Sequence, residues 1–319
     1  MNPCNIKSNN YQKKNFQYNL LCFCILLLSS AVKAKNDASL NDLFNQATAA
    51  FAENHLDHAE MLIEKLLESS QNEAEHYYLA GRIAGKQAQE ANLFSQLSYA
   101  RAAKKYFTAA IRIDPQHQNA IIGLIRFHQQ APVMAGSDKQ SIPELINQLR
   151  TIDARAAFTM DAPKLLENNH VKSVVDFYKE ALNKPSKTRL GQFQYDAAMW
   201  FSAYGHYHQA LEIMQSIDLS QNDLDDESTV MRLYQLAKLT AETQTQLDVG
   251  IKNIQLYAAL PKGDKTIPQD WIDFRLAQLN FLNSGQTLDK TELLKIQSRT
   301  SLDELKAKIQ SFLEEAVLN

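Results

Sequence analysis

Apolar positions in this chain recur every three to four residues, and short polar breaks cut the pattern into paired segments. From Leu40 to Leu67 the apolar set is Leu43, Ala47, Ala50 and Phe51, then Leu56, Ala59, Leu62, Ile63 and Leu66, with a polar break at Glu53-Asn54-His55. That spacing predicts two amphipathic helices joined by a tight turn. Advancing by 34 residues carries Leu43 onto Tyr77, Ala47 onto Gly81 and Ala50 onto Ala84. The helix-turn-helix unit therefore repeats, as it does in arrays whose single units cannot bury both faces alone.

The segment Ala103, Phe107, Ala110, Ile111, Ile113, Asp114 and Pro115 resembles the second helix and Asp-Pro terminus of a tetratricopeptide repeat. Gly81 and Ala103 are 22 residues apart where the family has about 12. An insertion is therefore expected to add helical turns around Gln87 to Ser98. Ala120, Ile121 and Leu124 begin the next unit, which Ala131-Pro132-Val133-Met134-Ala135-Gly136-Ser137-Asp138 interrupts as a Pro- and Gly-punctuated loop reaching residue 141. Its second helix is expected from Ile142 to Ile152, with Pro143 in the first turn. A fourth unit pairs Phe158 to Glu167 with Val171 to Leu182. In the fifth, Ala198, Phe201, Gly205, Tyr207, Ala210 and Met214 match the family's small, aromatic and glycine positions.

The resemblance covers residues 40–220 and implies an all-α fold: an α-solenoid of stacked helix-turn-helix units wound as a right-handed superhelix. Residues 221–319 read as a polar run, Asp223 to Glu227, followed by degenerate hairpins. These are Ser228 to Leu260, then Trp271 to Leu282 with Glu292 to Ile296. Ser301 and Glu304 suggest a capping box for a last helix through Val317, whose polar face would close the stack.

Composition adds the compartment. Lys7, Lys13 and Lys14 precede an apolar run from Leu20 to Leu28, and Val32-Lys33-Ala34 reads as a small-residue cleavage site. Residues 1–34 are therefore expected to be a secretory signal peptide cut after Ala34, leaving no membrane-spanning segment. All three cysteines, Cys4, Cys22 and Cys24, lie before the cut, so the mature chain has no thiol chemistry. Removal of the leader takes four lysines and no acid, moving the net charge from −3 to −7. Such a chain lacks the basic footprint of a nucleic-acid binder.

Candidate chemistry is sparse. Ala80 to Gln87 approaches a phosphate-binding loop, but Ala80 replaces the first glycine, Gln87 replaces the magnesium-binding hydroxyl, and no strand precedes it. The pairs His55/His58 and His206/His208 fall in polar turns and supply too few ligands for a metal. Asp223 to Glu227 lacks the glycine turn and terminal Glu of a calcium loop. No zinc-protease or nucleophile-elbow motif occurs. The chain is thus expected to be no enzyme and to use no cofactor or metal.

In tetratricopeptide domains, first-helix side chains one and four positions beyond the conserved small residue commonly meet ligands. Carried onto this sequence, that resemblance nominates Thr48 and Phe51, Arg82 and Gly85 with Lys86 beside it, Arg126 and Gln129, and Met199 and Ser202. A basic strip of Arg82, Lys86 and Arg126 inside an acidic chain favours a peptide carboxylate or acidic segment. The leading expectation is a periplasmic or secreted scaffold that docks a protein or peptide in its concave groove. The alternative is a cell-wall-associated helical protein that binds glycan or regulates an envelope enzyme.

Overall fold

A computed structural model describes residues 39–69, 72–221, 223–285 and 290–318. The expected signal peptide, its cleavage site and all three cysteines lie outside the described residues. Everything described is helix, turn or loop, with no strand among the described residues. No helix there is long and apolar enough to cross a membrane. The chain gathers into two compact units, which divide between Leu145 and Ile146.

In the first unit, α1 (39–52) and α2 (Leu56–Ser69) form the first hairpin. Ala47, Ala59, Ile63 and Leu66 are buried between them and reach Leu79 and Ile83 of the next helix. The insertion appears as helix rather than loop: α3 (Ala74–Glu90) has 17 residues and α4 (Leu93–Ile113) has 21. Only Ala91 and Asn92 separate them, and Asn92 Oδ1 accepts from the Phe94 and Ser95 N–H groups at 3.1 and 3.2 Å. That cap satisfies donors which a helix start otherwise leaves open.

Helix α5 (Gln118–Gln130) follows, and its His117 Nδ1 cap accepts from the Ala120 N–H at 3.1 Å. The interrupting loop is built, with a 3-10 turn at Val133–Ala135 and Gly136 at φ 90°, where a side chain would be strained. Its carbonyls are held by α4: Arg101 donates to Met134 O at 2.8 Å and Lys104 to Gly136 O at 2.6 Å. From α5, His128 Nδ1 accepts the Asp138 N–H at 2.9 Å.

The His128 bond is expected to make the loop pH-sensitive. Burial, helped by Lys104, lowers the His128 pKa below 6.5 against a smaller opposing pull from Asp138. The folded state therefore binds this proton less readily than the unfolded chain. The stability this group contributes is present above about pH 6.5 and is lost as pH falls from there through the depressed folded value. Thermal unfolding of wild type is expected to weaken across that window. His128→Leu, which removes both the acceptor and the titration, should be less stable at pH 7.5 and flatter with pH. Parallel pH curves for the two proteins would contradict this.

Helix α6 (Ile142–Ile152) carries Pro143 in its first turn, as expected. In the second unit, α7 (Ala154–Glu167) pairs with α8 (Val171–Leu182), and α9 (Leu190–Ala203) with α10 (Tyr207–Gln215). Phe158, Phe177, Tyr178 and Phe193 share one aromatic core, with Tyr178 stacked on Phe193 at 5.5 Å. Asp223 to Glu227 is an ordered connection, not a free polar linker. Leu224 is buried, and Asp225 accepts from the Ser228 N–H at 2.6 Å to cap α11 (Asp226–Thr243).

Helices α12 (Leu247–Ala259), α13 (Gln269–Asn283), α14 (Thr291–Arg299) and α15 (Asp303–Leu318) complete the unit. Leu305 and Ile309 of α15 are buried with Phe274, Phe281, Leu293 and Ile296. The start of α15 departs from the expected box. The hydroxyl that receives a backbone N–H is that of Thr300, from Leu302 at 3.2 Å, so Ser301 is not the cap.

Five of the turns that join paired helices share one device. Asn54, Asn169, Gly205, Gln244 and Gly285 all have positive φ, each just beyond the end of the first helix of a pair. A left-handed residue there lets the last turn close its hydrogen bonds and reverses the chain.

Candidate groove in the first unit

The candidate site is a groove of about 560 Å³ walled by α3, α4 and α5, with Phe51 of α1 at one edge. On α3 it takes Tyr78, Gly81, Arg82, Gly85, Lys86 and Gln89; on α5 it takes Asn119, Ile122, Gly123, Arg126, Phe127 and Gln130. Both sets step through a helix at three and four residues, the stripe that one face of a helix presents. The floor is Phe107 of α4. A Cβ on Gly81 or on Gly123 would lie 2.7 Å from this ring, so both glycines are what lets α3 and α5 close on it. Gly85 has open space instead.

Among the described residues, three cations reach the groove and no carboxylate lines it. The Arg82 guanidinium lies 4.6 Å from the Phe51 ring centroid and 5.7 Å from that of Tyr78. These rings hold it by cation–π attraction while leaving its hydrogen-bond donors available. Lys86 pairs with Glu90 at 3.1 Å, and Glu90 is not a lining residue. Arg126 lies close enough to Tyr78 to lower that phenol's pKa. Burial of the ring, the largest influence, outweighs this and raises it. Tyr78 therefore stays a neutral donor at physiological pH.

The structure brings together Phe51, Arg82, Gly85, Lys86 and Arg126 of the residues nominated from sequence. It leaves out Thr48, which is exposed with its hydroxyl donating to Phe44 O at 2.9 Å. Gln129 is exposed off the stripe, and Gln130 lines the groove instead. Met199 and Ser202 belong to the second unit; Met199 is half-buried and Ser202 is only 3% exposed, accepting from Lys238 Nζ at 3.2 Å. Sequence reasoning missed Tyr78, Leu97, Phe127 and Gln130. The three-four stripe running on from Arg82 and Arg126 was the available signal.

A larger depression of about 1020 Å³ lies between α2, α4 and the Val133–Gly136 turn. It carries both signs, Glu64 and Glu68 with Arg101, Lys104, Lys105 and Arg112. Arg101 and Lys104 are already engaged with the loop carbonyls, so this surface has the weaker preference for an anion. As for the histidine pairs, His55 and His58 are exposed, His55 beside Glu53 at 3.3 Å. His206 packs edge-on to Phe201 while His208 is exposed.

Fold and groove together define an all-α protein of the helical-repeat class. No family model matches the chain, and no curated protein matches it. Among solved structures it is similar to the crystal structure of PilW, described as a widely conserved type IV pilus biogenesis factor. That match has a TM-score of 0.43 and 14% identity, and covers 72% of this chain and 98% of that one.

Proposed function

We propose that this chain is a tetratricopeptide-type scaffold, exported to the periplasm or beyond, that holds a partner protein or peptide by an acidic or carboxylate-bearing segment. It acts by binding and not by transforming its ligand. The observation that carries this reading is the groove itself: Arg82, Lys86 and Arg126 converge over the apolar floor of Phe107 and Phe127, with no carboxylate among the described lining residues. Its volume falls within the roughly 300–1,000 Å³ of ligand pockets, which pair an apolar wall with a few placed polar groups. Guanidinium groups bind carboxylates through paired, charge-assisted hydrogen bonds. The leader-like pattern of residues 1–34 supports the compartment.

A random-peptide display selection against the immobilised mature chain tests this. Enriched peptides are expected to share an acidic residue or a required free C-terminal carboxylate beside an apolar one. The Arg82→Glu/Arg126→Glu variant should bind them at least about 100-fold more weakly, since two charge-assisted bonds become repulsions. Enrichment of peptides without acidic groups, bound equally by the variant, would remove the proposal.

A further inference from the structure

The second unit gathers positive charge at a place far from the groove residues in sequence. Ser202 of α9 and Lys238 of α11 are 36 residues apart and bonded at 3.2 Å. Arg275 of α13 follows 37 residues later, so successive first helices each place one polar residue in series. Arg275 NH1 donates to Glu242 Oε1 at 3.4 Å and to Gln278 Oε1 at 2.6 Å. Lys308 of α15 reaches Glu242 Oε1 at 3.2 Å. Glu242 thus pairs with two cations, and Lys238 stands one turn before it on α11, within reach of its charge.

The arrangement leaves positive charge uncompensated. Arg275 is 2% exposed, and its Nε is buried with no acceptor among the described residues, although its guanidinium also meets the Tyr234 hydroxyl. Glu242 is divided between Arg275 and Lys308, and among the described residues Lys238 has the Ser202 hydroxyl alone as a hydrogen-bond acceptor. Cations held out of water are costly unless anions accompany them. Burial first, and then Arg275, lower the Lys238 pKa against an opposing pull from Glu242.

We propose that Lys238, Arg275 and Lys308 form a binding site for an oxyanion, a carboxylate or phosphate group. Lys238 and Lys308, both partly exposed, supply the direct contacts. Arg275 contributes its charge from the interior, and the Ser202 hydroxyl steadies Lys238. The site stands independently of the groove in the first unit.

The test uses the full mature chain carrying Arg82→Glu/Arg126→Glu, so that the groove cannot contribute. Thermal unfolding is followed with inorganic phosphate, or with succinate, against chloride at equal ionic strength. At least one oxyanion is expected to raise the midpoint saturably; phosphate alone, succinate alone, or both would each identify the group that the site accepts. Lys308→Met and Lys238→Met, confirmed as helical by circular dichroism, should each weaken binding by about tenfold. Glu242→Gln, which removes the competing carboxylate, should tighten it. Lys172→Met, whose lysine is 93% exposed on α8, should change nothing. Absence of any midpoint shift beyond that of chloride overturns the proposal, as does full retention of binding in both Lys308→Met and Lys238→Met.

Discussion

Phe107→Ala is expected to cost the first unit about 3–5 kcal/mol, the usual loss for emptying a buried aromatic position. Phe107 is 7% exposed, and it packs in the cluster with Ala103, Leu124 and Phe127. The same ring edge meets Gly81 and Gly123, so α3, α4 and α5 all depend on it. Gly81→Ala should therefore destabilise by about 1–3 kcal/mol through overpacking, despite alanine's better helix propensity. Shortening the ring with Phe107→Leu should relieve that added cost. Four residues on, Gly85→Ala should do the opposite and stabilise by about 0.5–1 kcal/mol, because it adds helix propensity in open space. Urea unfolding of this set reads all four values. Gly81→Ala and Gly85→Ala moving in the same direction would contradict the wedge.

Asp153→Ala should cost the second unit roughly 3 kcal/mol, combining a lost helix cap with lost charge-assisted bonds. Asp153 is 2% exposed, and its Oδ1 accepts from the Arg155 and Ala156 N–H groups, both at 3.1 Å. The same carboxylate accepts from Ser186 Oγ at 2.7 Å and from the Lys187 N–H at 3.3 Å. One side chain thus starts α7 and ties down the connection from α8 to α9. Asp153→Asn keeps the shape but not the charge and should fall between the two. Denaturant midpoints of the three proteins decide it; an Asp153→Ala midpoint equal to wild type would show that the network adds nothing.

Much of the architecture is legible because helix pairs repeat a pattern that local residues dictate. The ranges expected for α6 and α8 coincide with those observed, and the insertion lengthens α3 and α4 as turns of helix. The start of α7 at Asp153 is not legible in the sequence, because Ala154, Ala156 and Ala157 form no strong apolar stripe before Phe158. On α5, Ile121, Ile122, Leu124, Ile125 and Phe127 are apolar almost all round, so spacing alone could not set which face looks into the groove. Only the contact of Phe107 with Gly123 does so, and it moves the lining glutamine from Gln129 to Gln130. Ser202 lay at the nominated position, yet Lys238 covers it. The charge cluster around Glu242 joins residues from α9, α11, α13 and α15, a convergence that no local pattern records.

The chain has nine glycines, which makes the groove directly observable. Three of them, Gly81, Gly85 and Gly123, line it. Gly136 lines the other depression, and Gly191, Gly205, Gly250, Gly263 and Gly285 belong to the second unit. With glycine alone labelled with ¹⁵N, titration of an acidic peptide from the selection should shift the amide signals of Gly81, Gly85 and Gly123 saturably and leave the other six in place. Movement of Gly136 or of second-unit glycines, with the groove three unmoved, would contradict a first-unit groove that holds an acidic partner.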